Sequence, residues 1–485
     1  MADAQGRQPS PLDFAERSPG NDGCELAPRR LRNAPLGLEL RGLTRSGVRS
    51  SVFTLCSSAL GAGCLSLPYA VRVAGLGFGL VAMAAASGLT ALSGSVLVRY
   101  TSLVRAGASA SLSEPSRVPS WAMLLEAKLG ACGGILMEVI LLLLGGGVIL
   151  LYYSFVGDFL GSLRDAVQVP EASAPRWALI LGSLAVTVPL SLPGEIGALQ
   201  GSSVLILAIL VAMALVASVA LAVCNGPGAA GEPVAWGPAS PGGVLQAFCS
   251  FIFTQMFHLN VFTVYEGLRA PHAWSPRSLE PRAVADTKRM QNIVVFAVAV
   301  CSLLNLWIAL SGYLLWRGDT LQDFVLNYTD DKGSQGCPAW LPVSVRASQA
   351  LLTLGTLCSI PINVVPTRLC LAGLGARLLG RGGSAARAAE LPCQSLPGRC
   401  LLTAGLCGLL AALAATTHAV ATIIGFLGGT LSTVLMFVLP AMLYWGSSLD
   451  EGRPLVRAAT LAAFLFGAAV GFSNVVVLVA SLPSS

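Results

Sequence analysis

Two short runs carry the residues that could do chemistry. In the first, Ser57 and Ser58 precede Gly61-Ala62-Gly63, and Pro68 follows. Glycine weakens a helix, and proline removes a backbone donor. A break here frees amides that can meet a carboxylate and carbonyls that can meet a cation or an amine. A Gly-x-Gly run also serves close helix packing; the serines and the proline favour the break. In the second run, Ser250, Thr254, Gln255, His258 and Asn260 interrupt an aromatic stretch from Phe248 to Tyr265. Buried polar groups need partners or a cavity. His258 reads first as an interhelical hydrogen-bonder and second as a proton carrier.

Two further sets stand outside these runs. Thr353, Thr356, Ser359, Pro361, Asn363, Pro366 and Arg368 share one apolar segment. Their hydroxyls can bond to their own helix or ligate a hard cation. Glu138 and Asp158 flank Gly145-Gly146-Gly147. An ionisable residue in a membrane helix is a functional candidate, though both stand near the ends of their run, within reach of water. None of these groups suggests covalent chemistry, and no phosphate-binding P-loop is present. The expectation is a protein that binds and moves ligands, with no enzymatic activity and no organic cofactor.

The elements that position these residues are membrane helices. The chain is 54% hydrophobic and 11% charged, against roughly 25% charged in ordinary soluble domains. A bilayer accommodates that apolar surface because lipid-facing positions need no polar cover. The net charge of +6 does not argue for nucleic acid. The 13 cysteines form no C-x-x-C pair, and most lie inside apolar runs, such as Cys56, Cys64, Cys301 and Cys407; these read as small apolar filler. Residues 1–48 read as a disordered cytosolic tail without an apolar signal region, and 49–482 as the membrane domain. With about 20 apolar residues needed per span, eleven spans are predicted. They cover 50–74, 77–99, 131–160, 176–193, 202–223, 244–265, 291–315, 343–368, 400–417, 420–444 and 457–481.

Loop charge tests the count. With the N-terminus inside, the cytosolic segments hold 24 of the 30 Lys and Arg residues; Arg72, Arg164, Arg176, Arg317, Lys332 and Arg346 make up the 6 outside. That is a strong positive-inside bias, and one helix more or fewer midway would invert half of it. The sequon Asn327-Tyr328-Thr329 falls on the outer side, which makes Asn327 a glycosylation candidate. The two interrupted spans, first and sixth, are five helices apart. That spacing suggests two five-helix halves in inverted repeat, with an eleventh helix added.

Four stretches then resemble the amino acid/auxin permease family, and within it the sodium-coupled neutral amino acid transporters. They are Ser51 to Tyr69, Pro189 to Ile196, His258 to Tyr265, and Ile424 to Tyr444. Tyr153 to Asp158, and Pro361 with Pro366 and Arg368, fit as well. The resemblance implies a leucine-transporter-like fold and transport of amino acids coupled to Na⁺ or H⁺. It implies that the substrate carboxylate meets the backbone at Gly61, Ala62 and Gly63. The amine would face Phe253, Thr254 and Gln255. A sodium site would use Ser57 with Ser359, or Thr356 in its place. Ser57 stands where sodium-coupled members carry Asn, and Leu259 where they carry Pro. A shorter side chain at 57 weakens a sodium site, so the balance tips toward H⁺, with Glu138 and His258 as carriers.

No central segment offers a countercharge for a charged side chain, so a small or medium neutral amino acid is expected. A transport-incompetent amino acid sensor of the same fold is the alternative reading. Plasma membrane and vacuolar or lysosomal membrane fit the topology equally.

Overall fold

The structure is a computed structural model. It describes residues 48–109, 121–192, 200–224, 233–267, 282–328, 338, 340–378, 395–417 and 420–480. Residues 1–47 of the expected tail, 193–196 of the second family-like stretch, and Thr329 of the sequon lie outside the described residues.

Among the described residues, helix occupies the larger part of each segment expected to span. α1 (Val48–Ala59) and α2 (Leu67–Ala74) form the first, and α3 (Leu76–Ser109) the second. A short α4 (Trp121–Leu129) leads into α5 (Ala131–Ala166), the third. The fourth is the pair α6 (Arg176–Gly182) and α7 (Leu184–Leu190), the fifth α8 (Gln200–Val223). α9 (Pro241–Phe253) and α10 (Val261–Gly267) form the sixth. α11 (Arg282–Trp316), α12 (Trp340–Leu378), α13 (Leu396–Ala415), α14 (Val420–Trp445) and α15 (Pro454–Ala480) complete the order. Among the described residues, 8 helices are long and apolar enough to cross a membrane alone, or 9 with the bent pair at 51–74. Arg176–Leu190 and Pro241–Phe253 are apolar but shorter.

The local sequence explains how the key helices start and meet. Ser240 precedes Pro241, and its hydroxyl accepts from the Gly243 amide at 3.3 Å. A serine cap followed by proline fixes the start of α9. The Gly145-Gly146-Gly147 run lets neighbours close onto α5. A Cβ at Gly145 would collide with Thr367 of α12, and one at Gly147 would lie 2.5 Å from Leu427 of α14. Without side chains at these positions the helices pack on backbone.

Each end of the bundle is tied by polar contacts. At one end Arg99 of α3 reaches Asp450, beyond α14, at 2.8 Å, and the Tyr444 hydroxyl donates to the same carboxylate at 2.9 Å. The Arg99 guanidinium holds the Asp450 carboxyl below the usual carboxylate range. Lys128 of α4 donates to the Gly446 carbonyl at 3.0 Å. At the other end, Arg72 of α2 donates to the Thr320 carbonyl at 2.9 Å. Phe324 is fully buried there, next to Gly312 and Pro68. Residues 317–328 thereby fold over the far half of the first span.

The structure places three side chains in ways the local sequence does not show. Asp158 does not simply reach water: it accepts from Arg176 Nε at 2.8 Å, with both side chains mostly buried. Cys224, which is not among the cysteines named as filler, is disulfide-bonded. Cys224 stands just past the end of α8 and is buried at 7% exposure. Asn327 turns inward: its Oδ1 accepts from the Leu321 amide at 2.8 Å, and its Nδ2 donates to the Asp319 carbonyl at 2.7 Å. The nitrogen to which a glycan would attach is therefore engaged in holding a buried turn.

Candidate functional site

The first span bends by 52° between 51–59 and 63–74. Gly61 is extended, with φ −115° and ψ −171°, and a 3-10 turn follows over Ala62–Ser66. Side chains then occupy the bonds that the lost helix no longer makes. Ser66 Oγ donates to the Gly63 carbonyl at 2.8 Å, and Cys64 Sγ to the Gly61 carbonyl at 3.0 Å. α9 ends at Phe253, and the chain turns through 254–260 before α10. Inside that turn the Phe257 amide donates to the Gln255 carbonyl at 3.0 Å. Trp121 Nε1 of α4 donates to the His258 carbonyl at 3.0 Å, which satisfies one freed carbonyl of the broken helix.

The two breaks face each other across a cavity of about 880 Å³, within the usual range for small-molecule sites. Gly61, Gly63, Phe253 and Thr254 line it. The fit is close. A Cβ at Gly63 would lie 3.1 Å from the Phe253 ring, and one at Gly61 would collide with the Tyr152 hydroxyl. From the breaks the cavity runs along α12, past Ser359, Asn363 and Thr367, to Trp121 and Glu126 of α4. Among the described residues its charged lining side chains are Glu126 and Glu138, both acidic and both away from the breaks. Met123, Glu126 and Ala127 of α4 line its other end and are exposed, so it reaches the surface there.

The structure divides the sequence candidates. Ser57, Ser359, Glu138, Gly61, Gly63, Phe253 and Thr254 meet at one cavity. The Ser57 hydroxyl donates to the Thr54 carbonyl at 3.0 Å, and Ser359 to the Gly355 carbonyl at 2.9 Å. Each keeps lone pairs free for a further donor or cation. Thr356 does not line the cavity; its hydroxyl bonds back to Leu352 at 2.7 Å. Gln255 lies behind the wall, donating to Ser87 Oγ at 2.8 Å. His258 is fully buried, pairs with Ser93 Oγ at 3.1 Å and stacks on Phe257. It behaves as the interhelical hydrogen-bonder of the first reading. Ala62 belongs to the break, but its side chain is outside the described residues.

Sequence reading missed Tyr152. The neighbouring Tyr153 drew notice, yet its hydroxyl bonds to Thr187 Oγ1 at 2.8 Å, away from the cavity. Adjacent helical residues point about 100° apart, and only the packing of α5 decides which faces Gly61.

Comparison with known proteins follows this geometry. A family model described as transmembrane amino acid transporter protein matches residues 44–482. Amino acid transporter AVT6A of Arabidopsis thaliana is 26% identical over 453 residues, covering 91% of this chain and 88% of that one. Putative amino acid transporter AAT1 of Toxoplasma gondii is 28% identical over 331 residues, or 67% of this chain. Putative sodium-coupled neutral amino acid transporter 11 of Rattus norvegicus is 25% identical over 291 residues, or 59% of this chain. The matches span 40% and 57% of the Toxoplasma and rat proteins. Among solved structures, the Eremococcus coleocola manganese transporter superposes with a TM-score of 0.52 at 10% identity. It covers 93% of this chain and 91% of its own, a likeness of fold alone.

Proposed function

The chain belongs to the transmembrane amino acid transporter family, the amino acid/auxin permeases, and on that premise we propose an ion-coupled transporter of neutral amino acids. The observation that carries the proposal is the meeting of two broken helices at one cavity. Backbone of Gly61 to Gly63 receives the substrate carboxylate, and the Phe253–Thr254 turn receives the amine. Half-helix ends and freed backbone groups are suited to these opposite charges. The substrate side chain then lies among Tyr152, Phe253 and neighbouring apolar groups. The proposed architecture counts all eleven segments as spans, arranged as two five-helix halves and one added helix.

The proposed orientation has a cytosolic N-terminus. The loop charges support it, and so does the disulfide at Cys224. Cys224 falls on the outer or lumenal side, where disulfides persist. In that orientation the cavity opens to the cytosol at α4, and residues 317–328 close the outer side. This is an inward-facing state. The driving ion is Na⁺ or H⁺. Glu138 is the proton candidate that faces the cavity, and Ser57 with Ser359 offers neutral oxygens from α1 and α12. The proposed location is the plasma membrane or a vacuolar or lysosomal membrane. The alternative sensor reading draws no support from the relatives, which are named as transporters.

Side-chain selectivity is the direct test. Among the described residues the wall near the breaks carries no charge, and the vestibule carries only Glu126 and Glu138. Acidic amino acids would meet like charge on their way. Competition of uptake by the twenty amino acids should therefore show inhibition by small and medium neutral ones and none by aspartate or glutamate. Inhibition by lysine or arginine alone would overturn the neutral assignment.

A further inference from the structure

A second pocket lies at the end of the bundle where Arg72 meets Thr320. Its volume is about 380 Å³, and α2, the start of α9 and the last turns of α15 wall it. Among the described residues, none lines both this pocket and the cavity at the breaks. Part of the wall offers donors. Arg72 is exposed and carries its guanidinium over the Tyr69 ring, 5.8 Å from the centroid. Its Nη1 donates to the Thr320 carbonyl at 2.9 Å, and the other N–H groups of the fork stay available. Ser240 Oγ accepts from the Gly243 amide at 3.3 Å, so its own proton remains for a ligand. Ser240 also caps α9, and the positive end of that helix favours an anion.

The rest of the wall offers acceptors. Asn474 of α15 lines the pocket and is only 2% exposed. Its Nδ2 donates to the Gly425 carbonyl of α14 at 3.1 Å. A carbonyl can only accept, so the amide is fixed with its NH₂ toward α14 and its Oδ1 left over. No donor among the described residues reaches that Oδ1. Gln246 of α9 lines the same pocket with a side-chain amide that makes no hydrogen bond among the described residues. Buried amide oxygens rarely stay without a partner. One pocket thus joins a fixed cation to neutral acceptors. A guanidinium pairs with a carboxylate, and an ammonium has donors alone to give to amide oxygens. A simple anion would leave Asn474 unanswered, and a metal cation would be repelled by Arg72. A small zwitterion answers both, and the volume is near the lower end for small-molecule sites.

We propose that this pocket binds a free amino acid, with its carboxylate on Arg72 and Ser240 and its ammonium on Asn474 Oδ1 and Gln246. The site is separate from the transport cavity, and binding here does not depend on the transport reading. Its ligand touches α2 and α9, the far halves of the two broken spans, and α15, which stands outside the proposed repeat. Occupancy ties these three helices together at the closed end of the bundle, so the site is regulatory.

The test uses the full chain purified in detergent, with radiolabelled alanine as the probe. The Gly63→Val chain, its central site blocked, should still bind alanine. In that background Arg72→Gln should weaken binding about tenfold or more, the loss of a charge-assisted bond. Asn474→Leu should weaken it as well. Alaninamide keeps the ammonium and lacks the carboxylate. It should bind weakly and be indifferent to Arg72→Gln, whereas a loosened fold would weaken both ligands alike. Should Asn474→Leu fail to fold, Arg72→Gln, at an exposed side chain, carries the test. If the transport reading fails, wild type and Gly63→Val bind alike and both respond to Arg72→Gln. Absence of alanine binding in Gly63→Val, or binding indifferent to Arg72→Gln, would overturn the proposal and leave the pocket to ordered water. A melting temperature raised by phosphatidylethanolamine and untouched by alanine would overturn it too, assigning the pocket to a lipid headgroup.

Discussion

Gly63→Val is expected to abolish uptake while the protein still inserts in the membrane and purifies as a monodisperse species. A Cβ at this position already lies 3.1 Å from the Phe253 ring and 3.8 Å from Thr254 Cγ2. The valine methyls extend further, into the space between the two breaks. Phe253 is itself 8% exposed and has little room to withdraw. A carboxylate displaced by about 1 Å loses on the order of 100-fold in rate, so kcat/KM should fall by at least that much. Gly61→Ala should behave similarly, because its Cβ meets the Tyr152 hydroxyl. Gly405→Val and Gly408→Val serve as controls: a Cβ at either meets nothing within 4 Å, and uptake should persist. Normal uptake kinetics in Gly63→Val would refute the site.

The second large effect concerns stability. Asp158→Ala should lower the stability of the bundle by about 3–5 kcal/mol, the usual cost of leaving one partner of a buried ion pair unpaired. Arg176 also donates to the Ala414 carbonyl at 3.0 Å and the Ser154 carbonyl at 3.3 Å. It therefore joins the ends of α5, α6 and α13 and cannot swing into water without breaking those bonds. Double replacement by Asp158→Leu and Arg176→Met removes both charges and should recover most of the loss. Thermal unfolding in detergent separates these cases. Equal melting temperatures for wild type and Asp158→Ala would show that the pair contributes nothing.

Much of this arrangement is legible in the sequence, for physical reasons. Gly61, Gly63 and Pro68 signal a break because their backbone preferences are local. Thr254 signals one because a polar residue in an aromatic run needs a partner or a cavity. Contacts between distant segments are different. That Glu138 faces the cavity while His258 turns to Ser93 depends on helix rotation, which small changes in packing decide. Tyr152 and Tyr153 show the same point at adjacent positions. The sequon at Asn327 says nothing of the turn that its side chain holds, and Asp158 looked solvent-facing because Arg176, 18 residues on, is invisible to a local window. The short apolar segments Arg176–Leu190 and Pro241–Phe253 are legible in composition, while the break at Ser183 inside the first and the turn after Phe253 are not.

The most direct measurement is accumulation of a radiolabelled neutral amino acid, such as alanine, in proteoliposomes holding the purified chain. An inward Na⁺ gradient and an inward H⁺ gradient are imposed separately, beside matched liposomes with no gradient. The account predicts that one gradient drives alanine above its external concentration, and that this accumulation disappears in Gly63→Val. Uptake no greater than in protein-free liposomes under both gradients would contradict it.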